Sequence, residues 1–238
     1  MAYEAVIGVE THVELLTRSK MYCGCPNGFG AEPNTSICPV CLGLPGALPV
    51  PNERAIAATV SLGLALEAEL AARSLFHRKN YFYADLPKNY QISQFDVPVC
   101  HDGHLDIEVD GATRRVGIER AHMEEDTGKS IHVGTAGRIH TAERTLLDFN
   151  RSGVPLVEVV SRPDMRSAAE ARVFAQEVRS VIAELGVSDV RLEEGSIRFD
   201  QPAGRLANQI CGLWSWPGAM CRYRSADGKR DEQVTIAR

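Results

Sequence analysis

Two groups of side chains in this 238-residue chain have the types and spacing to do chemistry. The first is a cysteine quartet. Cys23-Gly-Cys25 and Cys38-Pro-Val-Cys41 form C-x-C and C-x-x-C pairs with twelve residues between them. Thiolates so spaced can close a tetrahedral Zn²⁺ site, and the flanking glycines and prolines help the backbone wrap around the ion. Four thiolates leave no open position for a substrate, so such a zinc would be structural; buried or free thiols are the plainer alternative. The second group is made of carboxylates and imidazoles. Glu10 and His12 alternate onto one side of an extended segment, and His122-Met-Glu-Glu-Asp126 concentrates three carboxylates and an imidazole. Like charges that close repel, so the cluster asks for a cation or for full solvation. Glu158 is the only charge in Pro155–Val160, and a carboxylate buried among apolar neighbours is costly unless paired or metal-bound. Oxygen ligands with one imidazole suit Mg²⁺ or Mn²⁺ better than Zn²⁺. Such ions neutralise phosphate charge in phosphoryl transfer. The simpler readings are a solvated sheet face for Glu10 and His12 and a salt bridge to an arginine for Glu158.

The elements that must position these residues are legible from periodicity. Residues 4–15 alternate with a period of two and predict a strand with one apolar face. Residues 22–51 form a Cys/Gly/Pro/Asn loop. Asn52 can cap a helix running to about Glu69. The aromatic and basic stretch 75–99 is broken by Pro87. His104–Val109 and Arg114–Met123 predict a hairpin turning at Asp110-Gly111. Thr145–Phe149 and Pro155–Val160 read as short strands. Ser167 with Glu170 predicts a capping box for a helix ending near Leu185, with Gly186 as its stop. Val190–Asp200 reads as a hairpin turning at Gly195. Hairpins with a few packed helices predict an α+β fold built mainly on antiparallel sheet. Gly128-Lys129-Ser130 imitates the end of a phosphate-binding loop, but Met123 stands where its earlier glycine belongs.

Composition narrows the class. Hydrophobic residues make up 44% and the formal net charge is −5. Residues 201–238 carry six Lys/Arg and three acids, which leaves −8 on the first 200 residues. An acidic body suits a divalent cation and gives RNA little to hold, so a partner or another region would have to grip any nucleic acid. The N-terminus lacks a basic and apolar leader, and no apolar run reaches the length of a membrane span, which predicts a cytoplasmic protein with no membrane partner. In that compartment seven cysteines read as metal ligands or thiols before disulfides.

Six segments occur in order: Ile7–Leu15, Arg78–Tyr83, Pro87–Gln94, His122–Ser130, Asp148–Glu158 and Glu193–Arg198. Together they resemble the consecutive motifs of the B subunit of tRNA-dependent glutamyl/aspartyl amidotransferases. The resemblance implies a catalytic domain related in fold to glutamine synthetase and the guanidino kinases. It implies use of ATP with Mg²⁺ or Mn²⁺ to phosphorylate the side-chain carboxylate of Glu-tRNA(Gln) or Asp-tRNA(Asn), and replacement of the phosphate by ammonia. Carried over residue by residue, it implies Glu10, His12, Glu125 and Glu158 as metal ligands. It further implies Lys79, Lys88, Tyr90, Ser93 and Arg198 as residues of the reacting site or ammonia path, with Tyr81 and Gln91 as polar groups nearby. Structural hydrogen bonds are the alternative role for each. The implied partners are misacylated tRNA, a small C subunit and an amidase A subunit that supplies ammonia, since no Gly-Gly-Ser-Ser amidase stretch occurs here.

The resemblance sets a domain of residues 1–200, with a zinc-binding loop at 22–42, and stops there. Residues 201–238, with Cys211, Cys221, Trp214 and Trp216, match nothing expected of the family. They read as a divergent tail or the product of a reading-frame slip, which the DNA would decide. The expectation is an incomplete catalytic domain, poorly soluble and with little activity alone. A zinc-stapled, non-catalytic scaffold and an inert fragment of a disrupted gene are the competing readings.

Overall fold

The computed structural model describes residues 3–134, 142–200, 220–225 and 231–235. The tail residues Cys211, Trp214 and Trp216 lie outside the described residues. At the centre is a six-stranded sheet. Its strands are β2 (Glu10–Glu14), β3 (Glu69–Leu70), β6 (Cys100–Val109), β7 (Ala112–Glu125), β10 (Pro155–Ser161) and β11 (Ile197–Asp200). They lie in the order β11-β2-β10-β7-β6-β3, antiparallel throughout. Two-stranded pairs join β4 (His77–Asn80) to β5 (Tyr90–Ser93) and β8 (Lys129–Val133) to β9 (Arg144–Asp148). A separate sheet joins β1 (Tyr3–Glu4), β12 (Met220–Ser225) and β13 (Asp231–Thr235). With helices α1 (Glu53–Ala65) and α2 (Ala168–Leu185), the architecture is mixed α and β and mainly antiparallel, as periodicity predicts.

Register decides which side chains meet. Val13, Val157, Met123 and Ile197 lie abreast, as do Thr11, Val159 and Ala121. All are buried, and all but the polar Thr11 form one core with Leu62 of α1 and Ala171, Phe174, Val178 and Ile182 of α2. The helix starts are capped as the sequence predicts. Asn52 accepts from Arg54 N and Ala55 N, and Ser167 Oγ accepts from Glu170 N. The Glu170 carboxylate, however, reaches past the cap to Arg166 N at 2.6 Å. Gly186 closes α2 at φ 62°.

Several boundaries differ from expectation. The alternating run 4–15 pairs only at its ends; between them Ile7 makes a lone bridge to Met165, and Val9 N bonds Ser161 Oγ. Helix α1 stops at Ala65, where the Leu66 and Ala68 amides turn back onto Leu62 and Gly63 carbonyls, freeing Glu69 to pair with β6. Stretch 75–99 is a hairpin around Pro87. The expected hairpin at 190–200 is a tight turn followed by one strand, because Gly195 N and Ser196 N bond back to Leu192 and Arg191 carbonyls. Gly128-Lys129-Ser130 leads into strand β8, where a phosphate-binding loop needs a helix. No helix among the described residues is long and apolar enough to cross a membrane.

Candidate metal centres and a cavity on the sheet face

The face of the sheet turned away from the helices carries the chemistry. Successive strand residues alternate between faces, so burying Val13, Val157 and Met123 turns His12, Glu158, His122 and Glu124 the other way. Pairing sets His12 beside Glu158 and Glu158 beside His122, while Arg198 of β11 flanks His12 from the outside. His12 Nε2 lies 3.4 Å from Glu158 Oε2, and His122 Nε2 lies 3.5 Å from both Glu158 Oε2 and Glu124 Oε1. Asp200 Oδ2 stands 3.3 Å from the other His12 nitrogen, an outer carboxylate that orients the ring. His12, Glu124 and Glu158 each present a ligand atom, all within 4.8 Å of one another. Octahedral ligands of a hard divalent ion stand about 3–4 Å apart, so this donor set fits Mg²⁺ or Mn²⁺.

Electrostatics agree with a site short of cationic charge. Burial opposes charge on His12, yet Asp200 and Glu158 overcome it and raise its pKa to about 9. Burial likewise works against Glu124, but His122, Lys79 and Ser93 hold it down at about 2. Glu10, one step along β2, is pushed up by burial and by the Glu158 charge. On the same face Glu14 rises to about 8, through burial and then the neighbouring Asp126.

The expected site residues divide into two groups. Ser93 Oγ donates to Glu124 Oε1 at 2.6 Å, and Lys79 Nζ lies 3.2 Å from the same oxygen. These two join the His12 and Glu158 group. Glu125 does not. One step beyond Glu124, it points away and accepts from Lys88 Nζ and, at 2.9 Å, from Ile92 N. Gln91 Nε2 donates to its carbonyl, and the Tyr90 ring lies beneath Arg78 and Lys88. Burial raises the Glu125 pKa against the opposing Lys88 charge. Arg198 faces Asp126 at 3.6 Å, and Tyr81 stacks on Tyr83.

A cavity of about 600 Å³ opens on the first group. Glu10, Glu124 and Glu158 line it together with His122, and Arg78, Lys79 and Arg120 add positive charge to the same lining. Sequence reasoning missed Arg120 and Asp200 and took Glu125 as the ligand where the structure groups Glu124 with His12 and Glu158. Strand parity held that signal: counted from Arg120, residues 120, 122 and 124 share a face and 125 leaves it.

The cysteine quartet also converges. Cys41 Sγ lies 3.5, 3.7 and 3.8 Å from the sulfurs of Cys23, Cys38 and Cys25. Thiolates on one zinc stand about 3.8 Å apart, so four such sulfurs fit the ion. The Cys41 thiol is held well below its usual range, first by the Cys23 hydrogen bond and further by Lys20.

Residues 5–202 match the family described as GatB/GatE catalytic domain. Among similar proteins is the B subunit of an aspartyl/glutamyl-tRNA(Asn/Gln) amidotransferase from Frankia casuarinae, 63% identical over 199 residues, covering 83% of this chain and 39% of that one. The protein of that name from Salinispora tropica is 60% identical over 203 residues, covering 83% and 41%. Its counterpart from Symbiobacterium thermophilum is 56% identical over 208 residues, covering 85% and 42%. The chain thus spans about two fifths of the length of the relatives it matches.

Proposed function

The chain belongs to the GatB/GatE catalytic-domain family, and from that premise we propose that it carries the phosphorylating and amidating centre of a tRNA-dependent amidotransferase. The reading covers residues 1–200 as a catalytic domain of the glutamine synthetase and guanidino kinase kind, with 201–238 as a divergent tail. The substrate is the side-chain carboxylate of glutamate on tRNA(Gln) or aspartate on tRNA(Asn). Partners supply the rest: an amidase subunit delivers ammonia, and a small third subunit completes the assembly. The cytoplasm is where misacylated tRNA is met.

The convergence of His12, Glu124 and Glu158 beside a cavity lined by Arg78, Lys79 and Arg120 carries this proposal. A divalent ion bound there would neutralise phosphate charge on ATP. The chain's own groups do the remainder. Arg78, Lys79 and Arg120 balance the triphosphate while a substrate carboxylate oxygen attacks the γ-phosphorus and ADP leaves. Ammonia then adds to the acyl carbon of the resulting acyl phosphate, phosphate departs, and a proton is released. Glu125 and Lys88 form a second, drier polar pair suited to guiding ammonia. Tyr90 and Gln91 fix that pair's surroundings, and Arg198 with Asp126 borders the sheet face. The quartet Cys23, Cys25, Cys38 and Cys41 holds structural zinc.

Equilibrium dialysis of labelled ATP against this chain tests the proposal. Binding is expected to require Mn²⁺ and to weaken about a hundredfold in Glu158→Gln. Nucleotide bound equally well without Mn²⁺ and by Glu158→Gln would overturn it. A chain that binds zinc alone would favour the scaffold reading that the cysteine quartet supports.

A further inference from the structure

Lys20 is fully buried, only 1% exposed. Its ammonium donates to the carbonyls of Ser36 and Ser152, each at 2.8 Å, and lies 3.6 Å from Cys41 Sγ. A buried ammonium demands a nearby anion, and a thiolate on a metal answers that demand. The Ser152 end of this bridge leads on: Gly153, the next residue, has both the Lys20 stem and Glu125 Oε2 within 3.8 Å of the position a Cβ would take. The other end of the cysteine loop reaches the same pair from above. Leu42 N, Gly43 N and Leu44 N turn back onto Cys38, Val40 and Pro39 carbonyls, closing a knuckle. Gly43, at φ +63°, rests on Lys88 so closely that an added methyl group would overlap its side chain. Lys88 in turn holds Glu125.

We propose that the four-cysteine loop holds Lys88 against Glu125, with Lys20 and Gly43 as its positioning residues. The inference rests on the zinc reading above and deepens it: zinc is then no remote staple but the constraint on the roof of the Lys88–Glu125 pair. Four thiols without an ion share only weak S–H contacts, and residues 22–51 contain no helix and no strand of the sheets. Binding one cation fixes all four sulfurs and with them the Cys38–Leu44 knuckle. Lys20 carries that constraint to the Ser152–Gly153 turn beneath Glu125, and Gly43 carries it to Lys88.

Competitive acylation of lysines in the full chain, read by peptide mass spectrometry, tests this without any assay of activity. Zinc content is measured first. No zinc bound would sink the zinc reading itself, and this inference with it. In zinc-loaded chain Lys20 and Lys88 are expected to resist acylation, with the exposed Lys129 as the internal reference. Stripping zinc is expected to speed labelling of Lys88 by about tenfold relative to Lys129. Gly43→Ala, with all four cysteines intact, is expected to keep its zinc and still label faster at Lys88. Lys20→Met is expected to surrender zinc to a chelator about tenfold faster. Zinc bound, but Lys88 acylated at one rate in loaded chain, stripped chain and Gly43→Ala, would overturn the coupling and leave the zinc reading standing.

Discussion

The cysteine loop and the acidic sheet face both gather metal-binding side chains, but they do it by opposite means. The loop draws its four ligands from nineteen consecutive residues and frames them with no regular strand or helix. The sheet face draws its ligands, His12, Glu124 and Glu158, from three strands well separated in sequence, and register alone puts them side by side. In the first region a bound ion would make the structure; in the second the structure makes the site. Removing metal should therefore cost the loop its shape and the sheet face only its charge balance.

The largest break in that comparison is expected in the loop. Cys38→Ser should lower bound zinc from about one per chain to near zero and reduce stability by about 5 kcal/mol. Elemental analysis and denaturant unfolding check it, and unchanged stability in a zinc-free variant would equate the two regions. Next comes the pair between them. Lys88→Met strands Glu125, only 1% exposed, without its cation. Loss of about 3–4 kcal/mol is expected near neutral pH, shrinking in acid as Glu125 takes up a proton. The smallest effect belongs to the sheet face. Folding raises the His12 pKa from 6.5 to about 9. Its stabilisation, about 3 kcal/mol, is complete below pH 6.5 and disappears as pH rises through 9. Chelator-treated chain should lose stability across that window, His12→Gln should not, and Mn²⁺ affinity should climb over the same range as the ion displaces the proton.

Legibility from sequence follows the same divide. The cysteine quartet, the Asn52 and Ser167 caps and the Gly186 stop are local signals, and each lies where spacing places it. Alternation also identifies the polar face of β2 and the anomaly of Glu158. What periodicity lacks is phase between strands. Glu124 and Glu125 are equivalent in a run of three carboxylates until the pairing Glu158 with His122 fixes which of them faces His12. Hairpin β4–β5 escapes notice because His77–Asn80 is exposed along its whole length and offers no apolar alternation. Lys20 is silent in sequence because its role comes from carbonyls at Ser36 and Ser152, which any residue could supply.

The central claim is that side chains from β2, β7 and β10 share one hard cation. Electron spin echo modulation of Mn²⁺ bound to the full chain tests it most directly, since it detects an imidazole nitrogen on the ion. Nitrogen modulation is expected in the unaltered chain and in Glu125→Gln, and is expected to vanish in His12→Gln, with the ion itself lost from Glu124→Gln. Modulation that survives His12→Gln, or an ion lost from Glu125→Gln yet held by Glu124→Gln, would contradict the account.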